Sequence, residues 1–87
     1  MEWLLRELLE FYERKRHYTT KEEFYVWLYM RYKRQGREPP RIETVLRYLR
    51  RAEALGLLGS TLQGRIYIFP ARIAAHLNGR KQATFPS

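Results

Sequence analysis

The change of hydrophobic period at Gly56 constrains the fold of this chain more than any other feature of its sequence. Before this glycine, from Pro40 or Arg41 to Leu55, apolar residues recur at helical spacing, namely Ile42, Val45, Leu49, Ala52 and Leu55. After it, residues 57–62 and 65–69 are β-compatible segments around a loop that contains glycine. We therefore expect a helix that stops at Gly56 and leads directly into a β-hairpin.

The position of the hairpin loop sets the predicted register of its strands. A two-residue loop at Gln63-Gly64 would pair Leu62 with Arg65. In this register one face of the hairpin carries Leu58, Ser60, Leu62, Arg65, Tyr67 and Phe69, and the other carries Gly59, Thr61, Ile66 and Ile68. Both faces are partly apolar, so the pattern leaves open which of them is buried.

Two further helices are predicted before the loop at residues 35–40. The first runs from Glu2 to about residue 16, and its apolar arc of roughly 160° is wider than one packing partner requires. The second starts at a capping box formed by Thr20 and Glu23 and runs to about Arg34. Gly36 is suited to end this second helix. Its aromatic residues are interpreted as core and helix contacts rather than as a base-stacking platform.

The C-terminal part of the chain contains one more helix signal. Pro70 opens a short last helix, and Asn78-Gly79 supplies its stop. We expect residues 1–79 to form one domain and residues 80–87 to be a flexible basic tail. The predicted fold class is α+β and mostly helical, with three helices, a two-stranded hairpin and a short C-terminal helix.

The charges are distributed unevenly along the chain. The formal net charge is +8. Residues 1–13 carry one Arg against four Glu, whereas residues 14–87 carry sixteen basic against five acidic groups. A strongly basic domain is typical of proteins that bind nucleic acid. Because the first helix is acidic, we expect it to face something other than phosphate.

Several classes of function lack the residues that they require. There is no cysteine, and His17, His76 and Ser60 stand without the partners that a metal site or a nucleophile needs. No apolar run approaches the roughly 18 residues of a membrane span. We expect an intracellular, cytoplasmic protein that is not an enzyme and has no cofactor, metal ion or small-molecule ligand. The absence of Asp and the thirteen Arg against four Lys indicate a thermophile.

The segment from Thr44 to Leu58 resembles the recognition helix and wing entry of MarR-like and ArsR-like winged-helix regulators. In those families a Thr-Val pair, Arg, Leu, further basic residues and Glu-x-x-Gly-Leu follow one another. Here the pattern is formed by Thr44, Val45, Arg47, Leu49, Arg50, Arg51, Glu53, Gly56 and Leu57. The match covers about 15 of the 87 residues, and Ala52 and Pro39-Pro40 depart from it. In style the chain is similar to small proteins of hyperthermophilic archaea and their viruses.

The resemblance implies a dimeric transcription regulator that binds double-stranded DNA. Helix 40–55 would enter the major groove, with the 57–69 hairpin as the wing. Arg47 and Arg51 would reach guanine, whereas Arg37 and Arg41 would hold phosphates. The full set of candidate DNA contacts is Arg37, Arg41, Glu43, Thr44, Arg47, Arg50, Arg51, Gln63 and Arg65.

A homodimer interface is expected on the first and last helices. Its candidate residues are Trp3, Leu5, Leu9, Tyr12, Ile73 and Leu77. Two other functions remain open, namely a non-specific architectural, chromatin-like DNA binder and a winged-helix protein-interaction module of the transcription or replication machinery. An RNA-binding version of the domain is not separable from these by sequence.

Overall fold

In a computed structural model, which describes residues 1–15 and 18–83, the chain forms four helices and a three-stranded antiparallel sheet. The elements follow in the order α1 (Glu2–Arg14), β1 (Tyr18–Thr20), α2 (Lys21–Arg34), α3 (Ile42–Ala54), β2 (Leu58–Ser60), β3 (Arg65–Ile68) and α4 (Pro70–Ala83). The predicted α+β class, mostly helical, is confirmed. No helix among the described residues is both long and apolar enough to cross a membrane.

The start of α2 and the ends of α2 and α3 follow from local hydrogen bonds, as predicted. Thr20 Oγ1 accepts from the backbone N–H of Glu23 at 3.1 Å, which satisfies one of the free donors of the first turn. Gly36, at φ 69°, ends α2, and Gly56, at φ 77°, ends α3. Both glycines adopt the left-handed conformation that most residues avoid. These two turns set the lengths of α2 and α3.

The prediction of a two-stranded sheet was wrong, because β1 adds a third strand. The strand order is β1-β3-β2, so β3 is central. Tyr18 pairs with Tyr67, and Thr20 pairs with Arg65. A strand of three residues is too short to show a period of two, and its partner lies far away in sequence. Only the folded chain brings the two strands together.

The predicted pairing of Leu62 with Arg65 was wrong by one residue. The backbone N–H of Thr61 donates to the carbonyl oxygen of Arg65 at 2.9 Å, and that of Gly64 donates to Thr61 at 3.1 Å. Gly64 has φ 79°. This is a three-residue loop with a left-handed glycine, which is the next most common hairpin loop after the two-residue type.

The corrected register decides which face of the hairpin is buried. Leu58 lies opposite Ile68, and Ser60 lies opposite Ile66. Leu58, Ile66 and Ile68 therefore share one face and are all buried, whereas Tyr67 is exposed on the other. A slip of one residue reverses the face of every side chain in a strand. Here it gathers the large aliphatic residues of both strands on the core side.

The core lies between the sheet and the helices. Its largest fully buried side chains are Phe24, Leu4, Leu5, Leu8, Leu28, Leu49, Ile66, Ile73 and Val45. Of the apolar positions predicted for α3, Val45, Leu49 and Ala52 are fully buried. Ile42 and Leu55 remain 39% and 50% exposed, because they lie at the two ends of α3, beyond the elements that cover its centre.

The last helix is longer than the predicted short helix. It continues through Gly79 to Ala83, and Gly79 does not have a positive φ. Glycine in a helix costs about 1 kcal/mol relative to alanine, which is too little to end a helix already held by Ile73 in the core. Residues 80–83, at the start of the predicted tail, are helical, and residues 84–87 lie outside the described residues.

Candidate nucleic-acid interface

The outer face of α3 carries most of the candidate DNA contacts. Successive helical residues are rotated by about 100°, so the buried Val45, Leu49 and Ala52 turn the opposite side of the helix to solvent. The exposed charged residues on that side or at the start of the helix are Arg41, Glu43, Arg47, Arg50 and Arg51. These five are called the α3 outer face below.

Two contacts with α2 hold α3 in place. The hydroxyl of Tyr25 donates to the carbonyl oxygen of Pro40 at 2.9 Å, just before α3 begins. Near the other end of α3, Glu53 Oε1 lies 3.5 Å from Lys21 Nζ. Because both ends of α3 are tied to one neighbouring helix, the α3 outer face has a defined orientation.

The positive charge of the α3 outer face is not neutralised by its surroundings. Within residues 1–15 and 18–79, no carboxylate lies within ion-pair distance of Arg41, Arg47, Arg50 or Arg51. The guanidinium of Arg47 lies 5.3 Å from the ring centroid of Tyr48, which orients it without removing its charge. Four guanidinium groups are thus available to an anionic ligand.

The hairpin carries a second group of the residues that are predicted to contact DNA. Arg65 is exposed, and its guanidinium lies 5.6 Å from the ring of Tyr18. The ring centroid of Tyr18 in turn lies 6.0 Å from that of Tyr67, on the outer face of the sheet. Gln63 is exposed in the loop beside Leu62, whose side chain is fully exposed. The loop is therefore accessible to a large partner.

Two of the residues predicted to contact DNA, Arg37 and Thr44, lie in surroundings that differ from those of the α3 outer face. The guanidinium of Arg37 lies 4.4 Å from the ring of Tyr32 and donates to Gln35 Oε1 at 3.2 Å. It is therefore held against the end of α2 rather than on the α3 outer face. Thr44 is half-buried and is therefore less accessible than Arg47, which is exposed.

Arg72 is a cation near the interface that the sequence pattern does not predict. Its Nη1 donates to the carbonyl oxygen of Gly56 at 3.1 Å, and its guanidinium lies 4.6 Å from the ring of Phe69. It adds a cation where α3 ends and the hairpin begins. The one available signal was its place in the first turn of α4, where a cation is unfavourable for the helix dipole.

The acidic residues of α1 are largely used within the chain. Glu7 Oε2 lies 3.0 Å from Arg31 Nε of α2. Glu10 Oε2 lies 2.8 Å from Arg14 Nε and 4.0 Å from Arg31 Nη1. These ion pairs are partly buried or follow the helical spacing of four residues. Glu7 and Glu10 are therefore neutralised within the chain, whereas Glu13 is exposed.

The predicted dimer interface on α1 and α4 is mostly occupied by the core of the same chain. Leu5 and Ile73 have no exposed surface, so they cannot contact a second subunit in this fold. Trp3 packs edge-on against Tyr48 at 5.9 Å, and Leu9 and Leu77 pack partly buried against the core. Of these six residues, Tyr12 is the most exposed, at 37%.

The chain matches no protein-family model, no curated protein and no solved structure. The chemistry of its surface must therefore be taken from its own residues. Guanidinium groups donate in pairs to phosphate oxygens and to O6 and N7 of guanine. A row of such groups on an exposed helix, without an ion pair to any carboxylate of residues 1–15 and 18–79, is suited to bind a polyanion.

Proposed function

We propose that the protein binds double-stranded DNA as a winged-helix domain, with α3 in the major groove and the hairpin of β2 and β3 as the wing. The observation that carries this proposal is the row of unneutralised arginines on the α3 outer face. The element order, with a third helix followed by a hairpin, is compatible with a winged-helix layout. The role that fits best is that of a transcription regulator.

The spacing of Arg47 and Arg51 on α3 matches base pairs that lie about two steps apart. Arg47 and Arg51 are one helical turn apart, so their backbones are separated by about 6 Å along the axis. This corresponds to roughly two base-pair steps of B-DNA. In the proposed complex these two residues bind guanine, and Arg41 and Arg50 bind phosphates on either side. Glu43 accepts from the amino group of cytosine.

The hairpin extends the contact beyond the major groove. Arg65 would enter the adjacent minor groove, where a narrow width increases the negative potential. Its position over Tyr18 limits the conformational freedom that binding must remove. Arg72, beside the end of α3, is suited to bind the phosphate backbone near the wing.

Replacement of Arg47 tests the major-groove contact. We expect Arg47→Ala to weaken binding to a preferred duplex about tenfold to a hundredfold, because one bidentate base contact is lost. The control is Arg6→Ala, which removes the same charge from an exposed position on α1. Fluorescence anisotropy with labelled duplex, repeated from 50 to 200 mM salt, measures both variants. Equal affinities for Arg47→Ala and Arg6→Ala would contradict the proposed contact.

Selection of bound sites from random DNA separates a regulator from an architectural binder. A regulator enriches a sequence, and Arg47→Ala then affects that sequence more than scrambled DNA. If no sequence is enriched and all duplexes weaken alike, the binding is non-specific. If neither DNA nor RNA binds at 50 mM salt, the proposal fails and a protein-interaction module is favoured.

A further inference from the structure

A self-complementary stripe runs along the side of α2 that faces away from the core. Phe24, Leu28 and Tyr32 are the buried residues of α2, and the opposite side presents Glu22, Val26, Met30 and Arg34 at intervals of four residues. Val26 is 60% exposed and Met30 is 49% exposed. These four residues are called the α2 stripe below. Two apolar residues at its centre are thus flanked by a carboxylate and a guanidinium.

The order of the α2 stripe has a two-fold symmetric complement. Glu22 precedes Leu28 by six residues and Arg34 follows it by six, and Val26 and Met30 lie two residues before and after it. If a second copy of α2 packs antiparallel about a two-fold axis at this level, each Glu22 meets an Arg34 of the partner subunit. Each Val26 then meets a Met30. Such a surface matches itself, as an interface between identical subunits must.

The neighbouring surface supports the same contact. An open groove of about 460 Å³ adjoins the stripe and has Phe11, Val26, Trp27 and Met30 among its lining residues. Among the described residues, its lining comes from α1, from α2 and from Lys15, and none of it from α3 or the hairpin. An unbranched methionine from a second copy can fill an irregular apolar groove of this kind.

We propose that the α2 stripe is a homodimer interface, in which two copies of α2 pack antiparallel. The charged ends set the direction of packing, because a parallel arrangement would place Glu22 against Glu22 and Arg34 against Arg34. The interface leaves the α3 outer face free in both subunits. It replaces the interface on α1 and α4 that the sequence predicts, and it does not depend on nucleic-acid binding.

Charge reversal in separate chains tests this interface without DNA. Glu22→Arg and Arg34→Glu should each weaken self-association about tenfold or more, because two symmetric ion pairs become two repulsions. When the two variants are mixed, both contacts between positions 22 and 34 of the heterodimer again join opposite charges, so association should return. The double variant Glu22→Arg with Arg34→Glu should also dimerise by itself. Sedimentation velocity and native mass spectrometry measure each sample.

Matched controls reverse the same charges at exposed positions on α1. Glu13 and Arg6 lie outside the groove lining. The variants Glu13→Arg and Arg6→Glu should therefore leave self-association unchanged. Formation of a heterodimer on mixing also shows that both stripe variants are folded. A wild-type protein that stays monomeric at high micromolar concentration overturns the proposal. So does a dimer that the reversals leave intact, or one that mixing fails to restore.

Discussion

At the scale of single residues, two glycines near helix ends have opposite roles. Gly56 ends α3 with φ 77°, whereas Gly79 lies inside α4 without a positive φ. A Cβ atom added at either position would meet no atom within 4 Å apart from its own local backbone and chain neighbours. A substitution by alanine therefore acts through the backbone alone, and the two positions form a matched pair.

Alanine at these two glycines should change stability in opposite directions. We expect Gly56→Ala to lower the free energy of unfolding by about 1–2 kcal/mol, because alanine is strained in the left-handed region. Gly79→Ala should raise it by roughly 0.5–1 kcal/mol, because alanine is the better helix former. Urea unfolding followed by far-ultraviolet circular dichroism measures both. Destabilisation by Gly79→Ala would show that α4 ends near residue 79, as its sequence indicates.

At the scale of elements, the transition from β1 to α2 depends on Thr20. This residue pairs with Arg65 in the sheet, and its side chain accepts the hydrogen bond that starts α2. Thr19, next to it, is buried and donates to Glu23 Oε2 at 3.3 Å. The strand and the helix therefore share one short polar segment.

Removal of the cap at Thr20 should destabilise α2. We expect Thr20→Ala to lower the free energy of unfolding by about 1 kcal/mol, because the N–H of Glu23 loses its acceptor. Thr20→Ser keeps a hydroxyl at the same position and should retain most of the stability. Chemical denaturation of both variants measures the difference. Equal loss in both would assign the effect to the β-branched methyl in the sheet rather than to the cap.

The elements also differ in how far local sequence predicts them. Thr20 with Glu23, Gly36 and Gly56 set the start of α2 and the ends of α2 and α3, because capping acts within about four residues of the chain. Gly79 has the same chemical character as these glycines, but α4 passes through it. Local preference there is outweighed by the packing of Ile73, which a sequence pattern does not weigh.

At the scale of the whole molecule, stability depends on the contact of the sheet with the helices. Ile66, in the central strand, is fully buried, whereas Leu62, in the loop beside that strand, is fully exposed. The two aliphatic residues lie four positions apart in the same hairpin. A comparison of substitutions at these two positions therefore separates the effect of burial from that of apolar character.

Truncation of these two residues should have very different effects. We expect Ile66→Ala to cost about 2–5 kcal/mol, through lost burial and the cavity that remains. This is a large part of the roughly 5–15 kcal/mol typical of a domain. Leu62→Ala should change stability by less than about 0.5 kcal/mol. Thermal and urea unfolding measure both, and a similar loss in the two variants would contradict the assigned register.

Local sequence is sufficient to predict the helices α2 and α3, the presence of a hairpin and the excess of basic residues on α3. These features depend on periodicity, capping and charge, which act between near neighbours. The proposed DNA-binding face is of this kind, because the helical repeat that buries Val45 and Leu49 also exposes Arg47 and Arg51.

The tertiary fold sets the third strand, the hairpin register and the exposure of the α2 stripe. It also showed that Leu5 and Ile73 belong to the core and that Glu7 is paired with Arg31. Each of these depends on contacts between residues far apart in the chain. Such contacts form only when several helices and strands pack around one small core. Patterns within a short stretch of sequence therefore do not predict them.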